Sequence, residues 1–250
     1  MPNGTLTIAG KRSSEMNLAL PHSRNWFYTS FGVVIIAIVV VGFSRTYYLK
    51  AWFDASPLTV KLQLHGFALS AWLVLFIVQA RLIAAHRRAL HKRLGIAGAV
   101  LAGLAVATTY AAVFEAAALA IAQDSHAALI RMYSGMELST LFGLFVAAGI
   151  VFRKRLEIHR RFMVLAMLAA VGPGAHRAVT LIAGHIVRDP HIWVIAVLLI
   201  GALAYDWRTR GAPHPILFWG GVLLVALQMT RRLVGGTDVW QHIGRWLLNG

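Results

Sequence analysis

The 250-residue chain contains no cysteine, which excludes a disulfide scaffold, covalent c-type haem and thiolate-held iron–sulfur clusters. Charge is scarce as well. Only 13% of residues are Asp, Glu, Lys or Arg, against about 25% in a soluble domain. Acid is scarcer still: 9 Asp and Glu stand against 24 Lys and Arg, a formal charge of +15. With 58% hydrophobic residues and a mean hydropathy of +0.67, too little charge exists to cover a globule and too much apolar surface for one core to hide. A soluble enzyme and a disordered chain are excluded, and a polytopic membrane protein is what remains. Other absences narrow its chemistry. No lysine follows Lys154, so a retinal Schiff base in the last helix is out. No GKS, GKT or GxSxG occurs, so neither a Walker A loop nor a nucleophile elbow is present. The pairs His86 with His91 and His185 with His191 are too sparse for the histidine boxes of a membrane di-iron oxygenase.

What is present is a succession of long apolar runs at 26–44, 64–85, 94–122, 129–152, 162–187, 192–205 and 215–230. Lipid offers the backbone no water, so only helices or closed barrels cross it. Barrel strands alternate polar and apolar residues, and these runs do not. The fold expected is all-α: a transmembrane helical bundle of about seven helices, or six if one of the two short final runs fails to span. The division is a polar tail over 1–25, the bundle over 26–231 and an amphipathic tail over 232–250. The first stretch (Lys11, Arg12, Arg24) lacks a signal peptide's apolar segment and cleavage site. In the last, Val239, Ile243, Trp246 and Leu247 share a helical face, as in a helix lying in the membrane interface.

Basic residues set the orientation. One set of loops holds Arg81, Arg87, Arg88, Lys92 and Arg93, then Arg153, Lys154, Arg155, Arg160 and Arg161, then Arg208 and Arg210. The other holds only Arg45, Lys50, Lys61 and Arg188. The richer side is read as cytoplasmic, which puts the N-terminus inside and the chain in a bacterial inner membrane. Arg231, Arg232 and Arg245 run against that rule if there are seven spans. The bases flank membrane edges together with Trp26, Tyr47, Tyr48, Trp52 and Trp207. That points to the bilayer and its anionic lipids as partners, and away from nucleic acid.

Ionisable side chains inside hydrocarbon are costly and mark candidate sites. At about 1.5 Å of rise per residue, Glu115 falls at the outer surface. Glu137, His176 and Arg177 fall in the outer half of the membrane, where His65 and Arg131 also enter. A Glu137–Arg177 or Glu137–Arg131 ion pair is expected, either fixing helix packing or lining a polar cavity. Gly172-Pro173-Gly174 precedes His176 and predicts a kink that aims His176 and Arg177 inward. At the cytoplasmic edge, His91 opens the third run and His159 the fifth. Both are candidate metal ligands, since neutral imidazole suits haem iron, or else solvated loop residues.

The stretch LQLHGFALSAWLVLFIVQARLIAAHRRALHKRLGIAGAV, with SRTYYL before it and EIHRRFMVLAML after, resembles a group of uncharacterised bacterial multi-pass membrane proteins, over most of the first five runs. More distantly, ALHKRLGI is similar to the third-helix ligand motif of the transmembrane di-haem cytochromes b reduced by ascorbate or quinols. That resemblance implies b-type haem and one-electron transfer, with His91 and His159 as the inner axial pair. The matching outer pair takes His65 from the second helix. The fourth offers only His126, ahead of its run, so His176 on the fifth stands in. Arg131 and Arg177 would then hold haem propionates or an anionic donor, and a quinol or a membrane protein complex would be the partner. The reading from a different class is a non-enzymatic accessory subunit, lipid binder or small transporter.

Overall fold

The computed structural model describes residues 23–54 and 56–249. The polar tail read over 1–25 therefore lies almost wholly outside the described residues. Among them no strand occurs, and eight helices follow in order. These are α1 (Ser23–Phe43), α2 (Val60–Ala84), α3 (Arg88–Ala120), α4 (Ser125–Val151), α5 (Leu156–Ala183), α6 (Pro190–Arg210), α7 (Pro215–Gly235) and α8 (Asp238–Asn249). The first seven are long and apolar enough to cross a membrane; the protein is a multi-pass membrane protein. The two short runs become helices of 21 residues each. Their polar ends stay helical because those side chains find partners, described below. The amphipathic tail is correspondingly shorter: Arg232 to Gly235 finish α7, and the tail helix starts at Asp238.

Local chemistry sets the helix ends. Thr59 and Asp124 accept hydrogen bonds from the amides of Leu62 and Ala127, capping α2 and α4. Prolines begin α6 and α7, where the missing N–H has no partner to lose. Gly211 ends α6 with φ of +80°, a conformation that suits glycine. Pro173 sits inside α5.

α5 is the central helix. It packs against α1, α4, α6 and α7, and its stretch from Val164 to Gly172 is buried throughout. Around it gather Ile35, Leu138, Phe142, Ile195 and Leu224. The crossing with α1 is close enough that a Cβ on Gly42 would strike the carbonyl of Gly174, the small-residue contact by which helices associate without a hydrophobic driving force. Outward, the surface is apolar: Phe67, Ile96, Val100, Trp193, Val197 and Ile200 are exposed. A soluble monomer does not present such a band; a bilayer covers it.

Candidate functional site

Polar side chains gather at both ends of the bundle. At the end where α6 begins and α7 finishes, Asp189 precedes α6 with a positive φ of 51°. It accepts hydrogen bonds from Arg231 and from Arg232 (Nε to Oδ2, 2.7 Å) on α7. This clasp accounts for two of the three bases that ran against the orientation rule: Arg231 and Arg232 neutralise an acid of the neighbouring connection. Burial alone would raise the Asp189 carboxyl, but the hydrogen bond from Arg232 and the charges of Arg231 and Arg232 outweigh it and hold the group below the usual carboxylate range.

Beneath the clasp runs a buried polar chain across three helices. Gln228 Nε2 on α7 donates to Glu137 Oε1 on α4 at 3.0 Å. With its amide nitrogen so used, Gln228 Oε1 is left to accept from His191 Nε2 of α6 at 3.2 Å. His176 of α5 stands beside His191, ring centres 5.7 Å apart. Glu137 Oε2 and His191 Nδ1 are buried without a hydrogen-bond partner.

Several expectations need correction here. Glu137 pairs with neither Arg177 nor Arg131. Its partner is an amide, because α7 rather than the exposed face of α5 lies against it. Arg177 points outward, its guanidinium 4.8 Å from the centre of the Phe43 ring and its Nη1 3.3 Å from Thr46 Oγ1. One residue along a helix turns a side chain by about 100°, so His176 and Arg177 do not share the interior. Arg131 is exposed. His65 lies against α3, its Nδ1 3.2 Å from Thr109 Oγ1; it is not brought to His176. Glu115 is half-buried on α3, its Oε2 3.4 Å from Lys61 Nζ.

At the opposite end the structure brings His91 and His159 together, with ring centres 6.3 Å apart and planes at 89°. They come from α3 and α5, which α4 separates by packing against both. His159 Nδ1 lies 2.7 Å from the carbonyl oxygen of Gly149. A carbonyl only accepts, so Nδ1 carries the proton and Nε2 of the neutral ring keeps a bare lone pair. Gln79 on α2 donates to the His91 carbonyl at 3.2 Å and ties down the start of α3. His91 Nδ1 is buried without a partner.

Beside this pair lies an ion pair that the sequence reading missed. Arg161, taken there as a loop base, is 2% exposed. Its Nε and Nη2 donate to Asp206 Oδ2 and Oδ1 at 3.2 and 2.6 Å, and its Nη1 donates to the Glu157 carbonyl at 2.9 Å. The Glu157 carboxylate bonds Arg160, Arg161 and Arg210. The amide of His214 donates to Asp206 as well (3.2 Å). Burial, then the nearby Arg161 and Arg210, push the His214 imidazole below its ordinary range. Its neutral Nδ1 accepts from the amide of Ile216 and caps α7. Phe27 stacks on Tyr205 at 3.9 Å, next to Asp206, and Tyr28 meets the same ring edge-on.

The fold defines an integral membrane protein of seven spans with one polar layer near each face. No family model, curated protein or solved structure matches the chain.

Proposed function

We propose that the protein is a b-type haem carrier of the bacterial inner membrane, in which His91 and His159 would hold the iron. The spacing of the two rings carries this reading. A metal bound by two opposed imidazoles lies about 2 Å from each ligating nitrogen, which sets the ring centres about 6 Å apart; here they stand at 6.3 Å. The bond from His159 to Gly149 supports it, because a ligating histidine ordinarily donates its other N–H to a carbonyl, which fixes ring and tautomer. His91 would ligate through its Nδ1, which is buried and has no hydrogen-bond partner. Among the described residues no three His, Asp or Glu stand together for a metal ion, but an iron already held by a porphyrin needs only two.

Bound haem would supply one-electron transfer. The chain's own residues do the rest. Arg87, Arg88 and Lys92 beside His91, with Arg153 and Arg155 before α5, supply positive charge for propionates. Arg131 and Arg177 belong to the opposite end and leave that role. His176 and His191 sit on α5 and α6, which pack directly against each other, so the outer layer is not assigned a second haem. A quinol or a membrane protein complex is the electron partner this reading calls for.

An optical spectrum of the protein purified in detergent is the test. A Soret band is expected, lost in His91→Ala and in His159→Ala and kept in His65→Ala. Protein that shows no such band, even when expressed with haem supplied, overturns the proposal. It would then stand as an accessory subunit, lipid binder or small transporter held together by its buried ion pair.

A further inference from the structure

The C-terminal helix α8 has two faces with different neighbours. On one, Trp240 Nε1 donates to the Leu129 carbonyl at 2.8 Å, and its ring meets Tyr133 edge-on at 5.1 Å. Gln241 donates to the Gly235 carbonyl at 2.8 Å. Leu247 and Leu248 pack into a small core with Ala117, Leu129 and Met132. On the other, Val239, Ile243 and Trp246 are 70%, 40% and 69% exposed and touch nothing that buries them. They recur at i, i+4 and i+7, one stripe along a helix. Leu247, grouped with them on sequence, turns instead into the small core.

The level of this stripe follows from α3, which at 33 residues is longer than a bilayer requires. About 20 helical residues cross the ~30 Å hydrocarbon layer, so a crossing that starts at Leu94 ends near Phe114. Val113, Phe114 and Ala117 are the α3 residues in the small core beside α8. The helix therefore sits at the outer hydrocarbon boundary. It touches α3, α4 and α7 together, which a helix about 18 Å long does by running across them. The helix that precedes it, α7, also exposes apolar side chains near its end, Met229 and Leu233.

We propose that α8 is an interfacial helix whose Val239–Ile243–Trp246 stripe inserts into the outer phospholipid leaflet, seating the lid that it forms over the outer ends of α3 and α4. Charge says what kind of surface suffices. The helix carries one acid, Asp238, and one base, Arg245, beside His242. Insertion is driven by buried apolar area and the interfacial preference of tryptophan rather than by attraction to anionic lipid, and a zwitterionic leaflet holds it.

The chain has no cysteine, so single spin labels report without background. The full-length protein is reconstituted in phosphatidylcholine vesicles with labels at Val239→Cys, Ile243→Cys, His242→Cys or Arg245→Cys. Collision with a water-soluble nickel chelate is expected to be several-fold weaker at 239 and 243 than at 242 and 245. Collision with oxygen should follow the opposite order, and added salt should change neither. Adding Trp246→Ser to the Ile243→Cys protein should raise nickel access at 243 several-fold with thermal stability unchanged. Equal nickel access at all four sites overturns the proposal, as does access at 243 left unmoved by Trp246→Ser. Protection at 239 and 243 that comes with dipolar broadening between labels also overturns it, since a second copy of the chain would then be the cover.

Discussion

Asp206→Ala tests whether the polar layer around Arg161 is held by charge. The substitution leaves Arg161 2% exposed, with its Nε and Nη2 donors emptied of the carboxylate they now share. Breaking a buried pair from one side costs about 3–5 kcal/mol, because an uncompensated charge stays behind. Glu157 still bonds Arg161 through its carbonyl and its carboxylate, so the lower end, about 3 kcal/mol, is expected. Removing both charges with Arg161→Met and Asp206→Leu leaves no orphan, and such replacements are often neutral or better. The double variant should recover to within about 1 kcal/mol of the parent. Unfolding by SDS titration in mixed micelles, followed by circular dichroism, reads both. A single variant within about 0.5 kcal/mol of the parent would show that the pair is dispensable. A double variant no more stable than the single would show that shape rather than charge set the cost. Either result refutes the reasoning.

Two further outcomes follow from the Asp189 clasp and from the α1–α5 crossing. Asp189 is held below the usual carboxylate range by Arg232 and Arg231, so its contribution is whole above the ordinary value of about 4 and fades as pH falls through the depressed one. Asp189→Asn should therefore lower the melting temperature at pH 7, and the gap to the parent should close on acidification below about pH 4; a gap that stays constant with pH contradicts the clasp. Gly42→Val must push α1 away from the Gly174 backbone, and overpacking of this kind costs about 1–3 kcal/mol. SDS titration of that variant checks it, and an unchanged midpoint would mean that the two helices do not cross there in the bilayer.

Much of this architecture can be read from the chain because lipid enforces a simple rule: a backbone in hydrocarbon must be helical, and about 20 apolar residues make one crossing. The same rule misjudged α6 and α7. Counting apolar residues stops at Tyr205 and Thr230, whereas both helices continue through Asp206, Arg208, Arg231 and Arg232. Asp206 is paid for by Arg161 on another helix, and Arg231 and Arg232 by Asp189. Such partners lie 42 to 45 residues away in sequence, beyond the reach of any local pattern. Position along a helix was the legible part: Glu137 and His176, grouped by it, are joined in one chain through Gln228 and His191.

Azimuth was not legible, and the functional residues depend on it. Glu137 and Arg177 were expected at matching depth with opposite charge, yet Glu137 is taken by Gln228 of α7, and Arg177 faces away, over Phe43. His191 and Gln228 carry no formal charge at neutral pH and no motif, so nothing in their surroundings marked them; the signal was only that each is a polar residue inside an apolar helix, 3% and 1% exposed once folded. His91 and His159 escaped this difficulty. Each opens its helix three residues before an apolar run, so both were expected at one level, and the packing of α3, α4 and α5 needed only to turn the two rings toward each other. A pair defined by where helices begin is more readable from sequence than a pair defined by which way they face, and the proposed haem site rests on the first kind.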